Sequence, residues 1–244
     1  MFVYEYDGDN TDKLICYAGA GFTYDSIGNP TTYRGKTATW SNGRQLVAYD
    51  GNTYTFDAWG RRVSKRNGNN TVTFTYDSNG NLISQSNGME FLYDNTGVFA
   101  VILNGTTYFY RKNGQGDIIA ILDSDGRVVV KYTYDAWGNA VTDVLDCNAN
   151  AIAELNPFRY RSYYYDTETG LYFLKSRYYD PELCRFMTID DISYLDPETT
   201  NGLNLYAYCG NNPIANVDYS GNEWWNPLSW SNEAKKMQER SARY

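Results

Sequence analysis

One short pattern recurs through the first part of the chain and limits what it can fold into: an aromatic residue, Asp, two variable residues and Gly. It stands at Tyr24-Asp25-Ser26-Ile27-Gly28, Phe56-Asp57-Ala58-Trp59-Gly60, Tyr76-Asp77-Ser78-Asn79-Gly80, Tyr93-Asp94-Asn95-Thr96-Gly97 and Tyr134-Asp135-Ala136-Trp137-Gly138, with a weaker copy at Leu122-Asp123-Ser124-Asp125-Gly126. An Asp at the start of a turn accepts hydrogen bonds from amides two or three residues on, and Gly supplies the positive φ that closes a short hairpin. The aromatic ends the incoming strand. A chain punctuated this often has no room for long helices, so repeated hairpins are the expectation.

The intervening segments read as strands. Thr71-Val72-Thr73-Phe74-Thr75-Tyr76 alternates strictly, with Val72, Phe74 and Tyr76 on one face and three threonines on the other, and Val128, Val130, Tyr132 and Tyr134 repeat that alternation. Asn-Gly turns at Asn42-Gly43, Asn87-Gly88 and Asn104-Gly105 fall between the Asp turns, so each repeat is about one hairpin. Ile118-Ile119-Ala120-Ile121-Leu122 is apolar at every position, as in a strand covered on both faces. Spacing between the turns is too irregular for propeller blades and suits a continuous meander. The fold class is therefore all-β, an antiparallel array of hairpins over residues 1–142. A loop with a short helical turn leads out of it.

Composition excludes much chemistry. There is no histidine, which removes His-based nucleophilic triads and most zinc sites. The four cysteines, Cys16, Cys147, Cys184 and Cys209, form no CxxC pair, so no metal and no cofactor is expected. A Cys184–Cys209 disulfide stays open as an alternative to free thiols. A net charge of −8 without a long basic run argues against nucleic acid, and no apolar run reaches the ~20 residues of a membrane span. Aromatic residues make up 17% of the chain, including 25 tyrosines, so the apolar surface comes largely from rings with polar tips.

Residues 156–186 form the densest stretch: NPFRYRSYYYDTETGLYFLKSRYYDPELCRF. Arg159, Arg161, Arg177 and Arg185 alternate there with tyrosines, among them Tyr178 and Tyr179. A guanidinium stacked on a ring contributes about 0.5–2 kcal/mol and can hold a carboxylate in a fork. Packing of this kind is the main reading, and ligand contact the alternative. This stretch, with Gly202-Leu203-Asn204-Leu205-Tyr206-Ala207-Tyr208 and Asn211-Asn212-Pro213, resembles the core domain associated with Rhs and YD repeats, found in bacterial Rhs polymorphic toxins, C components of Tc toxins and wall-associated proteins.

The resemblance implies a division into a YD-repeat array (1–142), a core domain (143–221) and a short tail (222–244) in place of a toxin domain; the residues from Ser231 to Tyr244 themselves read as a short charged helix capped by Ser231 or Asn232. It implies part of a curved, spiralling β-sheet shell with the core as its plug, open at an edge near Met1. The implied role is structural: wall and plug around a C-terminal toxin cargo, with the rest of the shell or that cargo as partner, in a secreted or wall-associated bacterial protein. Asp25 and Gly28, Asp57 and Gly60, Asp77 and Gly80, and Asp135 and Gly138 would be its turn residues.

Toxin members of the family also cut themselves with two aspartates in paired DPxG motifs. Asp190-Asp191-Ile192-Ser193 and Asp218-Tyr219-Ser220-Gly221 align with them, but Asp191 and Tyr219 replace proline and Ser193 replaces glycine. The enzymatic alternative is thus self-cleavage near Asn222 by Asp190 and Asp218; the plainer reading is that each Asp caps a turn. A third reading takes Trp59 and Trp137 as stacking platforms for cell-wall carbohydrate.

Overall fold

The structure, a computed structural model, describes residues 3–9, 12–191, 193, 203–222 and 224. The tail helix expected from Ser231 lies outside the described residues. The protein is all-β, 48% strand and 8% helix. A three-stranded sheet, β1 (Tyr4–Tyr6), β2 (Leu14–Tyr17) and β3 (Ala20–Gly21), precedes a meander of 14 strands running in sequence order from β4 (Thr23–Tyr24) to β17 (Ala140–Val144). Each strand pairs with the next because each turn is tight.

Asp57 shows how the recurring turn works. Its Oδ1 accepts from the amides of Trp59 at 3.0 Å and Arg61 at 2.9 Å. Its carbonyl accepts from the Gly60 amide at 3.1 Å, with Gly60 at φ +79°. One carboxylate therefore satisfies two amides that the hairpin leaves over, and glycine takes the left-handed position at no steric cost. Asp25, Asp77, Asp123 and Asp135 make the same pair of bonds. Asp94 differs: it pairs directly with Gly97 across a tighter loop.

In a meander alternate turns fall on opposite rims. Asp25, Asp57, Asp77, Asp94 and Asp135 share one rim, and Asn113 joins them, its Oδ1 accepting from the amides of Gln115 and Asp117 at 3.0 Å. The other rim carries two-residue loops at Arg34-Gly35, Asp50-Gly51 and Asn104-Gly105, with both central φ values positive. The expected alternation holds in β10 (Asn70–Tyr76), whose threonines are exposed while Phe74 is buried. In β15 (Ile118–Leu122), Ile118, Ala120 and Ile121 are buried and the other two half-buried. The tight edge near the N-terminus is β1, exposed along its length.

After β17 a helix, α1 (Asn150–Leu155), buries Ile152 and Ala153 in the main core, and the chain turns back as a four-stranded sheet. Its strands are β18 (Tyr164–Asp166), β19 (Leu171–Leu174), β20 (Arg177–Asp180) and β21 (Arg185–Phe186). Two neighbouring residues of β20 establish the shape of the wall. Tyr33, in β5 (Pro30–Tyr33), donates to Asp180 Oδ2 at 2.9 Å, while the Tyr179 hydroxyl donates to the Trp137 carbonyl at 2.7 Å, in the turn before β17. In a flat sheet those points would lie roughly 50 Å apart, eleven strand spacings of ~4.8 Å. The wall must therefore curl round the four-stranded sheet, with the plug bridging both of its ends.

The inner lining is aromatic. Phe74 meets Tyr164 edge to face at 5.7 Å, Phe91 meets Phe158 at 4.9 Å, and Tyr54 meets Tyr178 at 5.8 Å. Among these rings sits Arg62 of β9 (Arg62–Asn67), 1% exposed, its guanidinium 4.5 Å from the Phe173 centroid and 4.8 Å from that of Tyr164. It grips Asp166 of the plug with both terminal nitrogens, at 2.5 and 3.2 Å, and donates to the Tyr178 hydroxyl at 3.1 Å. Lys65 adds a second cation to the same carboxylate at 3.3 Å.

Arg62→Met leaves the buried Asp166 with Lys65 alone and empties the ring-lined site, and should lower stability by about 3 kcal/mol. Arg62→Met with Asp166→Leu should recover a large part of that loss. Guanidinium denaturation measures both; a single variant within ~1 kcal/mol of the parent would contradict the clamp.

Candidate functional site

The two aspartates that align with the DPxG motifs converge on one side chain. Arg177 opens β20, where its guanidinium lies 3.6 Å from the Phe186 centroid and almost out of solvent. Its Nη2 is 2.5 Å from Asp190 Oδ2 and 4.0 Å from Asp218 Oδ2. Its Nη1 donates to the Leu205 carbonyl at 3.0 Å, and its Nε donates to the Gly221 carbonyl. One arginine thus gathers both carboxylates and the peptide group between Gly221 and Asn222.

The segment carrying Asp218 is pressed against the hairpin that carries Arg177. Asp218 Oδ1 accepts from the amides of Gly221 at 2.7 Å and Ser220 at 3.1 Å, so it caps its own turn. Ser176 Oγ lies 2.8 Å from both the Ser220 carbonyl oxygen and Asn222 Oδ1, with one hydroxyl proton to give between them. Gly221 has φ +81°, and a Cβ there would stand 2.6 Å from Ser176 Oγ and 2.7 Å from the Leu174 carbonyl. Only glycine lets the strand come so close. Tyr219 occupies the position where proline stands in the motif, yet the Asp218 amide is free to accept a role proline would not affect, donating to the Tyr163 hydroxyl at 3.2 Å.

Burial sets the protonation of the pair. It pushes the Asp190 carboxyl up to about 6 against the pull of Arg177. It pushes Asp218 up to about 6 as well, opposed by Arg177 and the amides of Gly221 and Ser220. Both groups therefore titrate just below neutrality, unlike the exposed Asp191, whose carboxyl the Ser193 amide holds down.

The other arginines singled out in the sequence lie elsewhere. Arg159 stacks on Tyr165 at 4.5 Å, and Arg185 stacks on Tyr206 at 4.4 Å while donating to the Asp12 carbonyl. Arg161 binds Asp117 at 3.5 Å and the Pro213 carbonyl at 2.5 Å. Tyr178 faces Arg62 and Tyr179 reaches Trp137, as described. Trp59 is 80% exposed with Arg61 stacked on it at 5.1 Å, whereas Trp137 packs against the plug. The four thiols are free. Among the described residues no group of acidic or sulfur ligands is placed to hold a metal, and no helix is long and apolar enough to cross a membrane. Beside the Arg177 cluster, Ser176, Ser220 and Asn222 line a cavity of about 880 Å³ that opens at the Asp-turn rim.

Sequence reasoning missed Arg62, Ser176 and the Asn113 turn. Arg62 stands in a wall strand outside the arginine-rich stretch, and at the Asn113 turn Lys112 and Asn113 replace the aromatic and the Asp.

Comparison with known proteins agrees with this architecture. The tRNA nuclease WapA of Bacillus subtilis strain 168 is 36% identical over 217 residues, covering 83% of this chain, and the tRNA3(Ser)-specific nuclease WapA of Bacillus spizizenii is 35% identical over 217 residues with the same coverage. The chain spans 9% of the length of those relatives. Among solved structures, the TcdB2-TccC3-Cdc42 crystal structure matches 91% of this chain and 13% of its own at a TM-score of 0.62 and 19% identity, which shows the shared fold. The family model described as Teneurin YD-shell matches residues 9–214, and the chain accordingly belongs to the YD-shell family, with Rhs-type repeats and their core.

Proposed function

We propose that this segment is the wall and plug of a shell that encloses whatever follows its core domain, and that it acts structurally. The carrying observation is the reach of β20, which ties β5 to the turn before β17 through Asp180 and Tyr179. A plug holding both ends of a curled wall fixes the curvature, which is what an enclosing body needs. The partners on this reading are the remaining shell and a C-terminal cargo, and the setting is an exported protein. Proteinase K digestion of the full-length gene product tests it: the portion beyond Asn222 should survive until denaturant opens the wall. Its rapid loss from the native protein would overturn the reading.

A second reading, self-cleavage at Gly221–Asn222, is favoured by the convergence of Asp190, Asp218 and the Gly221 carbonyl on Arg177. With both carboxyls near 6, the pair at slightly acid pH holds about one proton. Asp190, closer to the guanidinium, takes the ionised role and Asp218 the protonated one. Water adds to the Gly221 carbonyl carbon and gives a proton to Asp190. The charge developing on the carbonyl oxygen is met by Arg177 Nε–H. The C–N bond then breaks as Asp218 passes its proton to the leaving Asn222 amine.

Intact-mass measurement at pH 5–6 should therefore show loss of the residues after Gly221, abolished by Asp190→Asn and by Asp218→Asn. A full-length mass persisting for weeks rejects cleavage and leaves the structural reading untouched. The same titration bears on stability. Folded values near 6 exceed the ~3.9 of an unfolded Asp, so the native state binds more protons and stability falls as pH rises between those values. Thermal unfolding should occur at higher temperature at pH 5 than at pH 7, and the Asp190→Asn, Asp218→Asn double variant should have a shallower slope, with the buried Asp180, also raised, contributing what remains. A parent and double variant with equal slopes would contradict the burial argument.

A further inference from the structure

The last strand of the wall ends it with an open edge. β17 pairs with β16 (Val128–Tyr134) and, among the described residues, with no other strand. The Leu145 amide donates to the Val129 carbonyl at 2.9 Å, and the Asp135 amide donates to the Asn139 carbonyl at 3.1 Å. Bonded pairs alternate along an antiparallel ladder, so these two bonds turn the amides and carbonyls of Ala140, Thr142 and Val144 away from β16. The side chains of this edge are open too: Val141, Val144 and Leu145 are 62, 41 and 60% exposed.

A row of unpaired amides and carbonyls templates pairing with another chain, and edge strands are ordinarily blunted by a bulge, a proline or a lysine. β17 has none of these. Each of the six earlier hairpins that turn on the same rim shifts register beside its turn, as between Thr55 and Phe56 or between Thr75 and Tyr76. The Asp135 hairpin runs without a shift from the pair Tyr134 and Ala140 to the pair Val130 and Val144. A bulge bends its strand and increases the local twist, so β17 is left straight. Its one charge, Asp143, already stands opposite Lys131 within the same sheet.

We infer that β17 is a self-association edge: two copies of this chain join by antiparallel pairing of their β17 strands about a twofold axis at Thr142. The strand's own sequence selects that register. With Thr142 opposite Thr142 of the second copy, Ala140 meets Val144, and all three outward-turned residues of each copy exchange bonds. One step toward the C-terminus would set Asp143 against Asp143, like charges directly opposed, and one step the other way leaves Val144 outside the pairing. In the chosen register the inner row runs from Tyr132 through Thr142 into Thr142 and Tyr132 of the second copy, so threonines pair across the join. The other free edge, β1, is three residues long against five, and pairing it with β17 would add copies head to tail without closing. The inference is independent of both the enclosing and the self-cleaving roles, since neither uses the outward groups of β17.

Sedimentation velocity of the whole chain over a concentration series tests it, read beside hydrogen exchange at the lowest and highest concentrations. The expected result is a single monomer–dimer equilibrium, with the amides of residues 140–144 exchanging more slowly at high concentration and those of β1 unchanged. Thr142→Pro removes one outward donor while leaving the bonds to β16 in place, and should weaken association by about tenfold or more. Glu5→Lys, on the β1 edge, should associate as the parent does. Because hydrogen exchange is read on the unmodified chain, it decides the matter even where the proline variant fails to fold. A monomer at every concentration, assemblies that grow past two copies, slowed exchange at β1 in place of β17, or a folded Thr142→Pro variant that dimerises like the parent would overturn the inference.

Discussion

A guanidinium removed from water and surrounded by rings is the contact on which the architecture depends. Arg62 is charged, buried and carried by the wall; Asp166, its partner, is equally buried and carried by the plug. Neither charge is tolerable alone in that setting, so wall and plug specify each other. The rings of Tyr164, Phe173 and Tyr178 come from the plug, and those of Tyr54 and Phe74 from the wall. Tyrosine adds to the aliphatic core of this large curved sheet because it buries area while its hydroxyl finds a partner, as Tyr33 does on Asp180 and Tyr172 on the Gly138 carbonyl.

The strands and their order could be read from residues 1–142 because turn chemistry is local. Asp25, Asp57, Asp77 and Asp135 each make bonds within four residues, so the pattern that announces the turn is also the one that builds it. Asn113 escaped notice because an amide oxygen replaces the carboxylate without changing the geometry. Curvature was implied only by the family resemblance, since it arises from Tyr33 meeting Asp180, 147 positions away in sequence. Arg62 was invisible for the same reason: nothing near it in the chain distinguishes it from an exposed strand arginine.

The site shows a similar division. Asp190 and Asp218 can be aligned with a motif, although Asp191 and Tyr219 stand where it has proline and Ser193 where it has glycine. The fold compensates from outside the motif. Ser176 and the Leu174 carbonyl hold the turn at Gly221, and Arg177 places both carboxylates on one cation. Arg177 itself had been grouped with three stacking arginines, because residue type alone does not distinguish a guanidinium lying on a ring from one that also gathers two carboxylates.

The order in which these parts occur along the polypeptide has a consequence for biosynthesis. The plug comes after the wall, so the ribosome releases fourteen strands with their aromatic inner face uncovered before the residues that cover it exist. Bonds such as Tyr33 to Asp180 form late and across long loops, which is slow and leaves sticky surface open to other chains. A cell making this protein would need to shelter the nascent wall until the four-stranded plug has emerged.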